Sequence, residues 1–291
     1  MNKLTFVLMI LIVVGIVIGL YISYKMIKAE RRVKYLEQVV ADRDGSIKNM
    51  RAHLDQVMDH SMVFIHHSVG QGFMTTGGLA DSLLNLGIVV RGATYGDEVG
   101  QETDVCHWVP KFENDLERIL KFREHPNQYF EGDRTNEIVM FKSCFPNSGI
   151  QADDGSPADP TSSTRTLANY KATFERLKKT FEQHPDKLFV YMTSPPLNPG
   201  ATTPDEAKRA QEFANWLTNE AKANGPRNFF VYDLFGFLSD ADGFLKAEYR
   251  PNSSVDSHPN ATANRAVAGD FTRFFAPIWQ EWNQTQQVTA M

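Results

Sequence analysis

The amino-acid sequence predicts an α/β domain with a mostly parallel sheet, preceded by a membrane anchor and a coiled-coil stalk. Three observations predict this organisation. Residues 1–24 are nearly all apolar, and the residues after them repeat apolar side chains at alternating spacings of four and three. From about residue 62 onward, short apolar runs alternate with helical patterns, as in α/β proteins.

The composition is that of an ordinary globular protein. The chain has 291 residues, of which 42% are apolar and 22% charged, with 19 Gly and 14 Pro. These values exclude wholesale disorder and a collagen-like repeat. A net charge of −5 gives no basic excess for nucleic acid, so we expect no nucleic-acid partner. The two cysteines, Cys106 and Cys144, match no zinc-ligand spacing.

Residues 1–24 are predicted to form an uncleaved single-pass anchor. Leu4–Ile22 contains no charged residue, and about 20 apolar residues in a helix cross the hydrocarbon layer of a bilayer. Tyr21 and Tyr24 suit the membrane interface. A cleaved signal peptide is the alternative, but it would have a shorter apolar region followed by a small-residue cleavage site.

The side of the membrane on which the domain lies is left open by the charges. Lys3 alone precedes the span, whereas Lys25, Lys28, Arg31, Arg32 and Lys34 follow it. The positive-inside rule therefore places the domain in the cytoplasm. A short basic N-terminus before an apolar stretch is also how a secretory signal-anchor begins, and this favours the outside.

Residues 25–60 are predicted to form a coiled-coil stalk. Two heptad series run through this segment: Met26, Val33, Val40, Ile47, Leu54, and Ala29, Leu36, Arg43, Met50, Val57. Arg43 is the one polar member of the two series, and such a pattern over several heptads is typical of a coiled coil. We therefore expect a homo-oligomer. The alternative is a single amphipathic helix packed on the domain.

Residues 61–282 are predicted to form one α/β domain, followed by a tail at 283–291. The predicted strands are Met62–His66, Ile88–Arg91, Glu137–Lys142, Leu188–Thr193 and Phe229–Asp233. The predicted helices are Gly78–Leu86, Glu113–Phe122, Thr166–Gln183, Pro204–Asn224 and Ala261–Trp282. This alternation indicates three layers, with helices on both faces of the sheet.

Candidate functional residues lie at predicted strand ends, where α/β proteins bind their ligands. Ser68 follows the first strand, Gly96 the second and Asn147 the third, and near the C-terminus Asp256 precedes His258 by two positions. An imidazole can take the proton of a serine hydroxyl while a carboxylate fixes its tautomer. Taken singly, a serine, glycine or asparagine at these places is also explained as a cap or turn residue.

Together these residues resemble the SGNH (GDSL-like) hydrolase superfamily over essentially the whole region beyond the stalk. The resemblance implies a flavodoxin-like three-layer fold and a serine esterase that needs no cofactor and no metal. Ser68 matches the nucleophile, and Asp256 and His258 match the acid and base of the last motif. Gly96 and Asn147 match the residues that, with the amide of Ser68, form the oxyanion hole.

The sequence departs from the superfamily pattern in three places. His66 and His67 stand where Gly-Asp usually precedes the serine, and Asn147 follows Cys-Phe-Pro rather than Gly-x. The acid and base are separated by one residue instead of two, a spacing that resembles the polysaccharide O-acetyltransferase branch. An O-acyltransferase with the same triad is therefore the alternative activity, and an inactive coiled-coil scaffold is the other alternative.

The function predicted from the resemblance is that of a membrane-anchored serine ester hydrolase that removes small acyl groups, acetyl first, from a glycan. Such a substrate favours an extracytoplasmic domain. His66, His67 and His258 are not expected to bind a metal, because adjacent residues leaving a strand point to opposite faces. Trp108 could stack on a sugar ring, but we predict that it packs in the core.

Overall fold

The architecture was analysed in a computed structural model. The structure describes residues 21–23, 25–43, 45–46 and 60–289, the side chains of 287–289 excepted. The chain divides into two units, Met1–Val57 and Met58–Met291. Within residues 60–289, the second unit contains seven strands: β1 (His60–Ile65), β2 (Ile88–Ala93), β3 (Phe122–Glu124), β4 (Gln128–Tyr129), β5 (Ile138–Lys142), β6 (Leu188–Met192) and β7 (Phe229–Tyr232).

Helices connect most of these strands. They are α1 (Ser68–Met74), α2 (Leu79–Leu84), α3 (Val105–Asn114), α4 (Leu116–Lys121), α5 (Leu167–Glu182), α6 (Pro204–Asn224), α7 (Leu234–Leu238) and α8 (Ala261–Thr289). Three short 3₁₀ turns lie at Phe145–Ser148, Pro199–Ala201 and Ala247–Tyr249.

Five parallel strands form the main sheet in the order β2-β1-β5-β6-β7. From β1 the chain moves to β2 at one edge of the sheet. It then returns to the other side of β1 and proceeds through β5 and β6 to β7 at the opposite edge. The strand order therefore reverses between β1 and β5, and ligand sites in open α/β sheets lie at such a point, beyond the carboxyl ends of the strands. The loops that follow β1 and β5 begin at this position.

Both faces of the sheet are covered, which explains why the strands are continuous apolar runs. Side chains alternate along each strand, so Val63 and Ile65 face a core formed with α3 to α6, while Met62 and Phe64 face a second core formed with α1, α2 and α8. The predicted three-layer α/β class is thus confirmed.

The predicted elements are found with shifted ends, and the structure adds others. The predicted helix Glu113–Phe122 is α4 with the last residues of α3, and α8 continues past Trp282 to Thr289. Helix α1 and the hairpin of β3 and β4 were not predicted. They span seven, three and two residues, which is too short for a periodic pattern.

The N-terminal unit is described only in part. Residues 25–43 are helical, and the stalk positions Met26, Val33, Leu36 and Val40 are exposed on this helix. The predicted stalk positions from Ile47 onward lie outside the described residues, as does nearly all of the predicted anchor Leu4–Ile22. Within the part of the chain that the structure describes, no helix has the length and apolar character needed to cross a membrane.

Candidate active site

Ser68 lies beyond the carboxyl end of strand β1, which pairs with β2 on one side and β5 on the other. Two histidines separate it from that strand, and it is the first residue of α1. The N–H groups of a first helical turn have no intrahelical acceptor, so the backbone amide of Ser68 is placed to donate outward. The Ser68 side chain is exposed. The predicted nucleophile therefore stands at the surface beside the point where the strand order reverses.

His258 and Asp256 reach Ser68 from the loop that precedes α8. His258 Nε2 lies 2.8 Å from Ser68 Oγ, and His258 Nδ1 lies 2.6 Å from Asp256 Oδ1. A carboxylate can only accept, so Nδ1 carries the ring proton and Nε2 accepts from the Ser68 hydroxyl. The three side chains are therefore joined in the order that proton transfer from a serine requires.

The short spacing between acid and base is accommodated in one tight turn. The backbone N–H of His258 donates to Asp256 Oδ1 at 3.0 Å, and the same oxygen accepts from the ring. These two hydrogen bonds hold the pKa of the Asp256 carboxyl below its usual value. Asp256 consequently stays ionised and keeps the imidazole in the tautomer that accepts from Ser68.

Polar side chains from other elements fix the loop that carries the acid and base. Buried Asn198 donates through Nδ2 to the backbone oxygens of Ser253 and Asp256, at 2.9 and 3.3 Å. The Asn198 amide N–H donates to the hydroxyl of buried Ser257 at 2.9 Å. No motif marks these residues in the sequence, because their role depends on contacts between segments more than 50 positions apart.

An aromatic ring covers one side of the base. The ring of Phe145 meets that of His258 edge-on, with centroids 4.9 Å apart. Phe145 begins the 3₁₀ turn after β5, so a residue from a second strand end supports the imidazole. The side chains of His258 and Asp256 are nevertheless 44% and 42% exposed, so both are open to solvent.

Gly96 occupies the third position of a tight turn after β2. The Asp97 N–H donates to the Thr94 oxygen at 3.0 Å, and Gly96 has a φ of 90°, which favours glycine. The Gly96 carbonyl accepts from Asn127 at 3.1 Å. These contacts explain the glycine as a turn residue, and its predicted oxyanion role stays a prediction.

Asn147 is buried and its side-chain amide is engaged on every side. Nδ2 donates to Asp104 Oδ1 at 2.7 Å and to the Cys144 oxygen at 3.1 Å. Oδ1 accepts from the Val105 N–H at 3.0 Å and from the Tyr170 hydroxyl at 3.2 Å. Both amide hydrogens therefore have acceptors, so Asn147 would have to release one of them to serve an oxyanion. Its predicted role there stays a prediction.

The similarities found to known proteins are to solved structures. No family model matches the chain, and no curated protein matches it. The chain is similar to solved structures of GDSL-type proteins. One is a GDSL-like lipase from Bacteroides thetaiotaomicron, 12% identical, in which 73% of this chain and 87% of the other are matched with a TM-score of 0.42.

Two further solved structures are similar at the same level. One, from Desulfitobacterium hafniense, is named provisionally as a lipolytic protein of the G-D-S-L family. It is 12% identical, and 74% of this chain and 99% of the other are matched with a TM-score of 0.44. The other, from Bacteroides fragilis, is named provisionally as an acylhydrolase. It is 14% identical, and 79% of this chain and 89% of the other are matched with a TM-score of 0.44. Identities this low carry no activity over, so the chemistry is judged from the site.

The two histidines that depart from the superfamily pattern have separate environments. His66 is buried under α1, where a Cβ on Gly70 would collide with it, and its Nδ1 lies 2.9 Å from the His67 oxygen. Burial lowers the pKa of His66 to about 4. His67 is half-buried, with Nε2 2.9 Å from the Gly100 oxygen and Nδ1 3.2 Å from Thr103 Oγ1.

Lys142 lies beside His66 at the carboxyl ends of β1 and β5. The pairing of β1 with β5 brings Phe64 opposite Met140, and two residues further on His66 and Lys142 share that face. Lys142 is fully buried, and its Nζ has no hydrogen-bond partner among the described residues. Burial therefore lowers the pKa of the Lys142 ammonium.

Trp108 is fully buried and donates through Nε1 to Ser143 Oγ at 2.8 Å, which confirms the prediction of core packing. Among the residues described, no group of three or more His, Cys, Asp or Glu side chains could hold a metal ion.

Proposed function

We propose that the protein is a serine ester hydrolase that releases small acyl groups, acetyl first, through Ser68, His258 and Asp256. The observation that carries this proposal is the continuous hydrogen-bonded series from Ser68 Oγ through the His258 ring to Asp256 Oδ1. Three such groups in this order constitute the apparatus of acyl transfer through a serine nucleophile.

The chemistry follows from the contacts. Ser68 Oγ attacks the acyl carbon while His258 Nε2 takes the hydroxyl proton, and Asp256 stabilises the imidazolium. The tetrahedral intermediate expels the alcohol, which leaves with the proton from His258, and the acyl group remains on Ser68. Water then attacks this ester with His258 again as base, which releases the carboxylic acid and restores the serine. The Ser68 backbone N–H is placed to stabilise the oxyanion.

A small acyl group is favoured by the side chains at the mouth of the site. In the described part of the domain, the large hydrophobic side chains that are exposed are Tyr95 and Val255. A long acyl chain would need a continuous apolar trough. An open triad with two separate apolar side chains fits a short acyl group on a polar alcohol.

An O-acyltransferase with the same triad is the second candidate. The one-residue spacing between Asp256 and His258 favours it by its resemblance to the polysaccharide O-acetyltransferase branch, and the open site leaves room for a second alcohol. In that reaction a sugar hydroxyl replaces water in the second step. Product analysis with an acyl donor and a free glycan separates the two: hydrolysis yields free acid, whereas transfer yields a new ester.

We further propose that the domain is held at an extracytoplasmic membrane surface by the apolar segment Leu4–Ile22 and by a stalk that self-associates. A reporter enzyme fused after Met291 tests the side of the membrane, because an extracytoplasmic domain requires a reporter active outside. A reporter active only in the cytoplasm would contradict the proposed location.

The activity itself is tested with the full chain in detergent micelles. The wild-type protein should release acetate from a simple acetate ester, and Ser68→Ala should abolish the release. Equal rates for wild type and Ser68→Ala would refute the assignment of the nucleophile.

A further inference from the structure

The turn after β2 carries Tyr95, whose ring contacts His67, the residue before Ser68. Thr94 and Asp97 close this turn, with the Asp97 N–H donating to the Thr94 oxygen and the Thr94 N–H donating to Asp97 Oδ2 at 2.9 Å. Tyr95 and Gly96 are its two central residues. The left-handed φ of Gly96 belongs to a turn that is closed and fixed, so the backbone of Tyr95 is held in place.

The anchor of this turn is a buried carboxylate. Asp97 is fully buried, and besides the Thr94 N–H it accepts from the Asn127 N–H at 3.0 Å. His125 Nδ1 lies 3.1 Å from both Asp97 oxygens. These contacts tie the turn to the segment between β3 and β4. The position of Tyr95 is consequently set before any ligand binds.

One face of the Tyr95 ring is covered by the residue that precedes the nucleophile. The rings of Tyr95 and His67 stack with centroids 3.9 Å apart and planes inclined by 26°. His67 is itself held at both ring nitrogens, by Gly100 and Thr103. Tyr95 is nevertheless 55% exposed, so the ring surface that His67 leaves uncovered is open to solvent.

We propose that the open face of Tyr95 is a binding platform for the ring of a sugar that carries the scissile ester. This inference rests on the proposed esterase function. A sugar presents a flat C–H face, and the tyrosine ring offers a flat apolar surface against which that face can pack. On the loop that carries Asp256 and His258, Ser253, Ser254 and Val255 are also exposed.

Because the Tyr95 platform is rigid, we expect it to contribute to substrate affinity. A side chain already fixed by a closed turn and a stacked neighbour loses little freedom when the substrate binds, so its contact energy appears as affinity. Because Tyr95 does not exchange protons with the reacting atoms, it should affect KM for a ring-bearing ester and leave kcat nearly unchanged.

The experiment compares two acetate esters in the full chain, kept in a detergent without a sugar headgroup. Methyl 6-O-acetylglucoside carries a sugar ring, and ethyl acetate carries no ring. Tyr95→Ala should raise KM for the glucoside about tenfold, since an aromatic contact contributes up to about 1.5 kcal/mol. Its KM for ethyl acetate should rise much less than its KM for the glucoside, and Tyr95→Phe should retain the wild-type KM on both esters.

Other outcomes overturn the inference or the proposed function separately. An unchanged KM for the glucoside in Tyr95→Ala, or an equal loss on both esters, would refute the platform while leaving the esterase intact. If the wild type turns over neither ester, the esterase proposal fails. In that case, saturation-transfer NMR with methyl glucoside still tests whether Tyr95 binds a sugar ring. A signal that is present in the wild type and lost in Tyr95→Ala supports the platform, and an equal signal in wild type and Tyr95→Ala overturns it.

Discussion

His258 Nε2 lies 2.8 Å from Ser68 Oγ although the two residues are 190 positions apart in the chain. The short distance results from the fold, because Ser68 follows strand β1 and His258 precedes α8, which packs with α1 on the same face of the sheet. Both residues are polar, and neither is needed to fill the core because Ser68 is exposed and His258 is partly exposed. Their contact is therefore the feature on which the proposed function depends.

We expect Ser68→Ala and His258→Ala each to lower kcat at least about a thousandfold, because members of a triad act as a unit. For the same reason, the double variant should be hardly worse than either single one. Steady-state kinetics on an acetate ester measure this, with circular dichroism as a check on folding. Losses that multiply in the double variant would contradict a shared role.

Asp256→Asn should lower kcat less than Ser68→Ala does, because Asp256 orients and stabilises His258 without carrying the proton. An asparagine oxygen can still accept from the His258 N–H, so the turn should survive. Asp256→Ala is the matched variant that also removes this acceptor, and its kcat should be lower than that of Asp256→Asn. An Asp256→Asn protein with wild-type kcat would contradict the role of the carboxylate.

Asn147→Ala should lower the free energy of unfolding by about 1–3 kcal/mol, because the Val105 N–H and the Asp104 carboxylate lose a buried partner. Urea denaturation measures the loss. Tyr170→Phe removes one hydrogen bond to the same amide and should cost less. An unchanged unfolding midpoint would contradict the structural role, and kcat of the folded variant reports separately on the oxyanion.

The stability of the domain should fall as the pH drops from 6.5 towards 4. Burial lowers the pKa of His66 from 6.5 to about 4, so the unfolded state binds more protons in this range and acid favours unfolding. The loss attributable to His66 reaches up to about 3 kcal/mol. His66→Asn keeps a donor for the His67 oxygen and should flatten the pH dependence; equal slopes in both proteins would refute this assignment.

The sequence predicted those parts of the molecule that have a local signal. Apolar runs bounded by turn residues located the five strands of the sheet. The pair Asp256 and His258 was recognisable because the two residues are nearly adjacent, and Ser68 because it follows a buried strand. Residues that act through distant partners had no such signal. Asn198, which fixes the acid–base loop, and Asp97, which fixes the turn of Tyr95, were identified only from the fold.

For Asn147 and Gly96, a sequence motif locates the residue but does not reveal its hydrogen-bond partners. The motif match assigned Asn147 by its position after β5, whereas its hydrogen-bond partners Asp104 and Tyr170 come from segments on either side in the sequence. A pattern of residue types cannot tell whether an amide is free to donate. Gly96 is similarly ambiguous, because a turn and an oxyanion hole both use a glycine.

A peptide spanning Lys25–Asp59 should self-associate at tens of micromolar concentrations, since its two heptad series are apolar except at Arg43. The helix over residues 25–43 exposes Met26, Leu36 and Val40, which association would bury. Sedimentation equilibrium measures the mass. Arg43→Leu should stabilise the assembly by removing a charge from the seam. A peptide that sediments as a monomer would contradict the stalk.

The central claim is that Ser68 is a nucleophile activated by His258, and active-site labelling tests it most directly. The full chain is treated with a fluorophosphonate, and the modified residue is identified by peptide mass spectrometry. The account predicts a single adduct on Ser68 in the wild type and strongly slowed labelling in His258→Ala. No adduct, an adduct on another residue, or labelling at the wild-type rate in His258→Ala would contradict it.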